Sequence, residues 1–211
     1  MNILAHRGLW ANPDERNSFK ALTSAIDKNL GIETDIRDHL GRVVVRHDMG
    51  FDAELDLNDL LNLVGEKELK IALNVKASEM GPALAKLFLE SEPKNYFFFD
   101  LAIPDLRKYL DLGLNTYCRV SEVEQQLVWS KEIKGVWVDT FSGLTVSKNM
   151  IDEFLGMNLD VSLVSEEIHG REHLHFWDVV SEYINDSRVS VCTDYPLELY
   201  DFLYGSSLTN D

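Results

Sequence analysis

Short apolar runs alternate along the chain with longer stretches in which apolar residues recur every three or four positions. The first pattern is typical of buried β-strands and the second of amphipathic α-helices. The predicted strands cover residues 2–6, 32–37 with a return run 42–47, 71–75, 96–100, 115–120, 136–139, 159–164 and 189–193. The predicted helices cover about residues 17–30, 56–64, 147–155 and 172–185, and further helices begin near Pro82, Pro104, Ser121 and Pro196.

Capping residues mark several of the predicted helix starts. Asn17 or Ser18 can cap the first helix, whose apolar stripe begins at Phe19. Ser121 and Glu124 form a capping-box pattern, which predicts a helix after the fifth strand. Every predicted strand is therefore followed by a helical segment, once the return run is counted as an extension of the second strand.

Repeated strand–helix alternation predicts a parallel sheet. Eight such units indicate closure into a compact (β/α)8 TIM barrel of the α/β class. We expect residues 1–211 to form a single barrel domain, because no low-complexity segment or Pro/Gly-rich linker divides the chain. An open doubly wound sheet is the alternative, although no Gly-rich nucleotide-binding motif follows the first strand.

The second strand carries two carboxylates, Glu33 and Asp35, in an otherwise apolar run. Residues two apart in a strand point to the same face. If the return run pairs with this strand about a central turn, Asp35 lies opposite Arg46 and Glu33 lies opposite Asp48. His47 then stands beside the carboxylate pair, as in a cation site for phosphate-ester chemistry. A surface strand with solvated acids is the alternative interpretation.

Active sites of (β/α)8 barrels lie at the carboxyl ends of the strands. The polar residues at those ends are His6, Arg7, Glu33, Asp35, His47, Asn74, Lys76, Asp100, Arg119, Asp139, Glu166 and Asp194. Histidines, carboxylates and bases therefore converge on one predicted mouth. The segment from Glu166 to Arg171 after the seventh strand is either a polar loop or a further contact with a phosphate or a sugar.

The overall charge limits the possible partners. The formal net charge is −16, and 45% of the residues are hydrophobic. This balance argues against nucleic-acid binding and against stable association with anionic membranes. An anionic substrate requires a local cluster of Lys or Arg, or a metal ion. The apolar run 3–5 is too short for a signal peptide, and Cys118 and Cys192 read as buried free thiols, so we expect a cytoplasmic protein.

Five short motifs occur in a distinctive order: HRG at residues 6–8, NS at 17–18, ETD at 33–35, HD at 47–48 and NVK at 74–76. This order resembles the glycerophosphodiester phosphodiesterase family, a branch of the phospholipase-C-like phosphodiesterases. The family pattern is HRG, ENT, ExD, HD and ExK. The resemblance implies a (β/α)8 barrel that hydrolyses a small phosphodiester.

The resemblance also implies catalytic roles for four residues. His6 and His47 would be the general acid and base. Arg7 and Lys76 would bind the phosphate oxygens of a glycerophosphodiester-like substrate. Two imidazoles suit this reaction, because one can accept a proton from the attacking group while the other protonates the leaving alkoxide.

The same resemblance implies a divalent cation, Mg²⁺ or Ca²⁺, held by Glu33 and Asp35. The third metal carboxylate of the family is replaced here by Asn74, whose amide oxygen can bind a hard cation but brings no charge. We expect weaker metal binding, or a substitute carboxylate such as Asp100 from the next strand. A second departure is Arg16, which stands where the family has the Glu of ENT.

Other functions stay open beside metal-dependent hydrolysis. The chain could be a lyase-type enzyme that ends at a cyclic phosphate. It could also be a weak or inactive barrel that binds a phosphorylated ligand, since Asn74 reduces the metal set. The sequence specifies neither the physiological substrate nor the oligomeric state.

Overall fold

The computed structural model describes residues 1–50, 55–143 and 146–205. Its strands are β1 (Asn2–His6), β2 (Gly31–His39), β3 (Arg42–Val45), β4 (Ile71–Val75), β5 (Tyr96–Phe99), β6 (Tyr117–Val120), β7 (Gly135–Val138), β8 (Asp160–Val164) and β9 (Val189–Thr193). Its α-helices are α1 (Phe19–Asp27), α2 (Leu57–Val64), α3 (Gly81–Ser91), α4 (Ile103–Asp111), α5 (Lys148–Gly156), α6 (Leu174–Ser181) and α7 (Pro196–Tyr204). Two short 3₁₀ helices cover Pro13–Glu15 and Glu166–His169.

Eight of these strands form one parallel sheet that curls into a nearly closed barrel. The strand order is β5-β4-β2-β1-β9-β8-β7-β6, and β3 pairs antiparallel with β2 outside this path. The barrel closes between β5 and β6 through an isolated parallel bridge from Phe98 to Thr116 and a 2.9 Å hydrogen bond from Phe98 N to Asn115 O. The predicted (β/α)8 barrel is confirmed, and the open-sheet alternative is wrong.

Apolar side chains fill both surfaces of the sheet. Outward-facing residues such as Ile32 and Ile36 pack against the helices. The inward-facing cluster consists of Leu4, Ala72, Phe97, Phe99, Tyr117, Trp137, Val164 and Cys192. Its rings stack closely, with centroids 3.7 Å apart for Phe97 and Tyr117 and 3.9 Å apart for Phe99 and Trp137. The barrel interior is thus a packed core, and polar chemistry is confined to its ends.

The hairpin of β2 and β3 has the predicted register. Ile36 pairs with Val45, and Arg46 N donates a 2.9 Å hydrogen bond to Asp35 O. Leu40 and Gly41 form the turn with positive φ angles of 48° and 79°. Strand β3 ends at Val45, however, so the expected pairing of Glu33 with Asp48 is not formed. The hairpin therefore extends β2 beyond the barrel without continuing to the HD motif.

Two expectations about the helices are wrong. Residues 121–134, all of which the structure describes, form bends and turns instead of a helix. Ser121 Oγ does accept a hydrogen bond from Glu124 N at 3.1 Å, but the Glu124 carboxylate is bound by Arg119, with 3.0 Å between Nη2 and Oε1. The Glu124 carboxylate therefore forms an ion pair instead of its part of the capping box. In α1, Phe19 is 53% exposed and does not join the core.

Most other local predictions are confirmed. Ser18 caps α1, as predicted, by accepting a 3.1 Å hydrogen bond from Ala21 N. Ser147, for which no cap was predicted, caps α5 in the same way. Cys118 and Cys192 are buried free thiols. No helix within the described residues is long and apolar enough to span a membrane.

Candidate active site

His6 and Asp194 form a close pair at the carboxyl ends of β1 and β9. These strands are neighbours, and Ala5 is in register with Thr193. The residues that follow them, His6 and Asp194, therefore lie side by side at the mouth of the barrel. His6 Nδ1 lies 2.6 Å from Asp194 Oδ1, and both side chains are largely buried. A carboxylate at Nδ1 favours the tautomer with the proton on that nitrogen and leaves Nε2 as an acceptor. The sequence placed Asp194 at the mouth but did not identify it as the partner of His6.

The HRG motif forms a tight left-handed turn after β1. Arg7 has φ 58° and Gly8 has φ 90°, a region that side chains disfavour. A Cβ atom at Gly8 would lie 2.6 Å from the backbone of Ala21 in α1. The glycine is thus required for the close approach of this turn to the helix. The turn directs Arg7 N toward β2, where it donates a 2.9 Å hydrogen bond to Glu33 O.

Glu33 is a buried carboxyl next to His6. Its side chain is 2% exposed, and its Oε2 lies 3.9 Å from His6 Nε2. Burial raises the pKa of Glu33 to about 7, and the charge of Asp35 adds to this rise. The groups that oppose the rise are His6, Arg7 and Lys76. The mouth therefore contains a carboxyl group that changes its charge near neutral pH.

Asp35 is completely buried and is held by cations from two directions. Arg7 Nε lies 2.8 Å from Oδ2, and Lys76 Nζ lies 3.3 Å from Oδ1. Asn17 Nδ2 donates a further hydrogen bond of 2.8 Å to Oδ2. The three side chains come from the turn after β1, the end of β4 and the start of α1. Asp35 thus holds in place the two cationic side chains, Arg7 and Lys76, that the resemblance assigns to phosphate binding.

The inner face of β2 and β4 brings together oxygen donors that suit a divalent cation. Asp35 is in register with Asn74, so these side chains are neighbours, and Glu33 lies two residues earlier on the same face. Asn74 Oδ1 is buried and accepts no hydrogen bond from the described residues. Among those residues, no group of three His, Cys, Asp or Glu side chains is placed to hold a metal. The donor types fit Mg²⁺ or Ca²⁺, with an amide as the third ligand.

Asp100, the substitute carboxylate that we expected, follows the next strand, β5. Its Oδ1 accepts a 3.1 Å hydrogen bond from Arg119 Nη1. Burial raises the pKa of Asp100, while Arg119, Lys76 and a hydrogen bond from Asn74 lower it. Asp100 thus contacts Asn74 and Arg119, and its role as a substitute metal ligand stays a prediction.

His47 lies at the rim of the mouth. Its Nδ1 is 2.8 Å from Asp48 Oδ1, and its side chain is 43% exposed. It lines a cavity of about 550 Å³ together with Arg7, Arg16 and Asn17. The structure thus brings His47 to the same cavity as the HRG arginine. Its described side-chain contact is with Asp48, and neither Glu33 nor Asp35, beside which we expected it to stand, is among its described contacts.

A third histidine–carboxylate pair occurs on the other side of the barrel. His169 Nε2 lies 2.6 Å from Asp139 Oδ1, at the ends of β8 and β7. Arg171 Nη2 donates a 2.6 Å hydrogen bond to Thr140 O, and its Nε is paired with Glu166. The polar segment after β8 is thus engaged with protein groups. The sequence showed these residues at the mouth but gave no signal for their pairing, which depends on barrel closure.

No protein-family model and no curated protein matches the sequence. Solved structures do match the fold. A glycerophosphodiester phosphodiesterase from Agrobacterium tumefaciens superposes with a TM-score of 0.71 at 15% identity, covering 98% of this chain and all of its own. An Oleispira antarctica phosphodiesterase, solved with its product sn-glycerol-3-phosphate, has a TM-score of 0.65 at 12% identity, covering 95% of this chain and 96% of its own.

A third structure belongs to a Ca²⁺-dependent phosphatidylinositol-specific phospholipase C from Streptomyces antibioticus. Its TM-score is 0.59 at 10% identity, covering 93% of this chain and 94% of that one. Structural similarity at identities this low establishes the fold alone, because function depends on the residues of the site. The chain has the barrel fold found in glycerophosphodiester phosphodiesterases and phospholipase-C-like enzymes, which is the fold that its HRG and ETD motifs imply.

Proposed function

We propose that this protein hydrolyses a small, water-soluble phosphodiester of the glycerophosphodiester type. The observation that carries this proposal is the His6–Asp194 pair, which lies beside Glu33. Arg7, the residue after His6, and Arg16, which pairs with Asp194, line the neighbouring cavity. A carboxylate-held imidazole beside fixed cations provides the two requirements of diester hydrolysis, proton transfer and charge stabilisation. The fold neighbours named above include phosphodiesterases, which supports the same reaction class.

Proton transfer would be shared by His6 and His47. Asp194 holds His6 through Nδ1, so Nε2 is the atom that exchanges a proton at the mouth. His47 lines the same cavity as Arg7 and is open to solvent. One imidazole would accept a proton from the attacking hydroxyl or water, and the other would protonate the departing alkoxide.

Charge stabilisation would come from Arg7 and Lys76. Arg7 binds Asp35 through Nε, and its two terminal nitrogens supply the donors for phosphate oxygens. Lys76 lies on the opposite side of the same carboxylate and is 21% exposed. A diester anion repels an incoming nucleophile, so fixed positive charge on both sides lowers the barrier.

Glu33, Asp35 and Asn74 would hold a divalent cation, Mg²⁺ or Ca²⁺, at the same mouth. When bound, the cation would supply further positive charge for the phosphate oxygens. The amide of Asn74 and the competing cations at Asp35 reduce the attraction of this site for a metal ion. We therefore propose a weaker affinity than a site with three carboxylates would have.

A barrel that binds a phosphorylated ligand without turnover is the second candidate, and Asn74 in place of a carboxylate favours it. A lyase-type reaction that stops at a cyclic phosphate is a variant of the first proposal. We propose a cytoplasmic location, which the two buried free thiols support.

Phosphorus-31 NMR of the purified protein with glycerophosphocholine separates these functions. The samples contain Mg²⁺, Ca²⁺, Mn²⁺ or EDTA. We expect glycerol 3-phosphate to accumulate in at least one metal and more slowly in EDTA. A cyclic phosphate as the final product would support the lyase variant. If neither this diester nor bis(4-nitrophenyl) phosphate is consumed while calorimetry still detects binding of inorganic phosphate, the enzymatic function is rejected. The barrel that only binds a phosphorylated ligand is then favoured.

A further inference from the structure

Three arginines line the cavity of about 550 Å³ beside the HRG turn. They are Arg7, Arg16 and Arg46, and His47 completes this side. The whole chain has 20 Lys and Arg against 36 Asp and Glu, so this concentration of guanidinium groups opposes the general charge. Two acids, Asp14 and Asp48, also line the cavity, and Asp48 is paired with His47. The cavity thus has the local positive charge that an anionic ligand requires.

Arg16 is held in a defined orientation within this cavity. Its guanidinium lies over the ring of Trp10 at 4.3 Å, and Trp10 is fixed by a 2.9 Å hydrogen bond from Nε1 to His6 O. Arg16 Nη2 donates to Asp194 Oδ2 at 3.1 Å. Its Nε is buried and has no hydrogen-bond partner among the described residues. The side chain is 31% exposed and lines the cavity, so the exposed part of a rigid guanidinium faces it.

The scissile phosphate does not account for this additional cation. A phosphodiester carries one negative charge, and Arg7, Lys76 and a divalent cation are already available for it in the proposed function. Arg16 brings a further guanidinium to the cavity, of which Nη2 is paired with Asp194. A second anionic group on the substrate would complement it.

We propose that Arg16 selects a phosphodiester that carries a second anionic group, a carboxylate or a phosphate, on one of its ester arms. This inference rests on the proposed phosphodiesterase function and narrows its substrate class. The stacking on Trp10 and the bond to Asp194 leave the guanidinium preorganised, which lowers the entropy lost on binding. A cationic arm such as choline would be disfavoured by the same charge.

The direct test compares three glycerol phosphodiesters whose second arm is ethyl, choline or 2-carboxyethyl. For the wild type, we expect kcat/KM to be about tenfold higher with carboxyethyl than with ethyl, and lowest with choline. Arg16→Gln will slow all three, because Arg16 also contacts Asp194, but the carboxyethyl-to-ethyl ratio should fall about tenfold. Arg42→Gln is the control, since Arg42 lies on β3, is half exposed and pairs with Asp56.

A binding measurement makes the test independent of turnover. We expect 3-phosphoglycerate to bind about tenfold more tightly than glycerol 3-phosphate in calorimetry, and this difference to disappear in Arg16→Gln. Equal affinities in the wild type, or a ratio that Arg16→Gln leaves unchanged, would overturn the inference and restrict Arg16 to positioning Asp194. If the wild type turns over none of the three diesters but still binds 3-phosphoglycerate more tightly than glycerol 3-phosphate, the proposed phosphodiesterase function is wrong. The preference of Arg16 for a second anionic group would then still be supported.

Discussion

Nδ1 of His6 lies 2.6 Å from Oδ1 of Asp194, although 188 residues separate them in sequence. The first and last strands of the barrel are neighbours, so barrel closure creates this pair. Asp194→Asn should lower kcat/KM for a phosphodiester by about 10² or more, because an amide neither stabilises the imidazolium nor enforces the same tautomer. Steady-state kinetics checks this expectation.

The control for this prediction is Asp201→Asn, on the exposed side of α7. It should keep wild-type kinetics. Asp194→Glu should recover part of the activity lost in Asp194→Asn, because the negative charge is restored. If Asp194→Asn is as active as the wild type, the pair has a structural role only.

His47→Ala should lower turnover by about 10²–10⁴ and leave the fold intact, because the side chain is a rim residue that supports no buried packing. His175→Ala is the matched control, since His175 is exposed on α6. The rates are measured with the same diester, and circular dichroism monitors the fold. Unchanged turnover in His47→Ala would remove this residue from the mechanism.

Asn74→Glu should increase the affinity for Mg²⁺ or Ca²⁺ by about tenfold or more, because it adds a third negative charge to the donor set. In EDTA the same variant should have a lower Tm than the wild type, since three carboxylates then repel one another, and metal should raise it. Calorimetric titration measures the affinity. Asn74→Gln, which adds length without charge, should not increase it. A wild-type affinity in Asn74→Glu would show that this position does not face the cation.

Glu33 makes stability depend on pH. Its pKa is about 7 in the folded chain against an ordinary value of 4.5, so between these values the folded state keeps a proton that the unfolded state has released. The protonated carboxyl therefore contributes fully below pH 4.5, and this contribution is lost as the pH rises through about 7. With metal removed by EDTA, Glu33→Gln should become more stable relative to the wild type between pH 5 and pH 8.

Urea denaturation at several pH values measures this difference in unfolding free energy. Glu153→Gln, on the exposed surface of α5, should follow the wild-type dependence. Parallel curves for Glu33→Gln and the wild type would contradict the raised pKa.

The barrel was predictable because its strands and helices are encoded by local patterns. The runs 2–6, 71–75 and 189–193 match the observed strands residue for residue. The helix expected after Ser121 does not form. The carboxylate of Glu124, which a capping box would use at the helix start, binds Arg119 instead. A local capping pattern cannot reveal a competing ion pair.

The candidate site was also predictable only as far as local patterns determine it. The positions of His6, Glu33 and Asp35 at the mouth follow from strand ends and side-chain alternation. The pairing of His6 with Asp194 could not be read from the sequence, since many carboxylates end strands and only the closed barrel selects one. The stacking of Arg16 on Trp10 depends equally on the conformation of the first loop.

The role of the His6–Asp194 pair in diester hydrolysis can be measured by the release of nitrophenolate from bis(4-nitrophenyl) phosphate. The wild type and His6→Ala are compared, each with Mg²⁺, Ca²⁺, Mn²⁺ or EDTA. We expect metal-stimulated turnover in the wild type and a rate at least about 10²-fold lower in a folded His6→Ala variant. Equal rates in the two proteins would contradict a phosphodiesterase that depends on the His6–Asp194 pair.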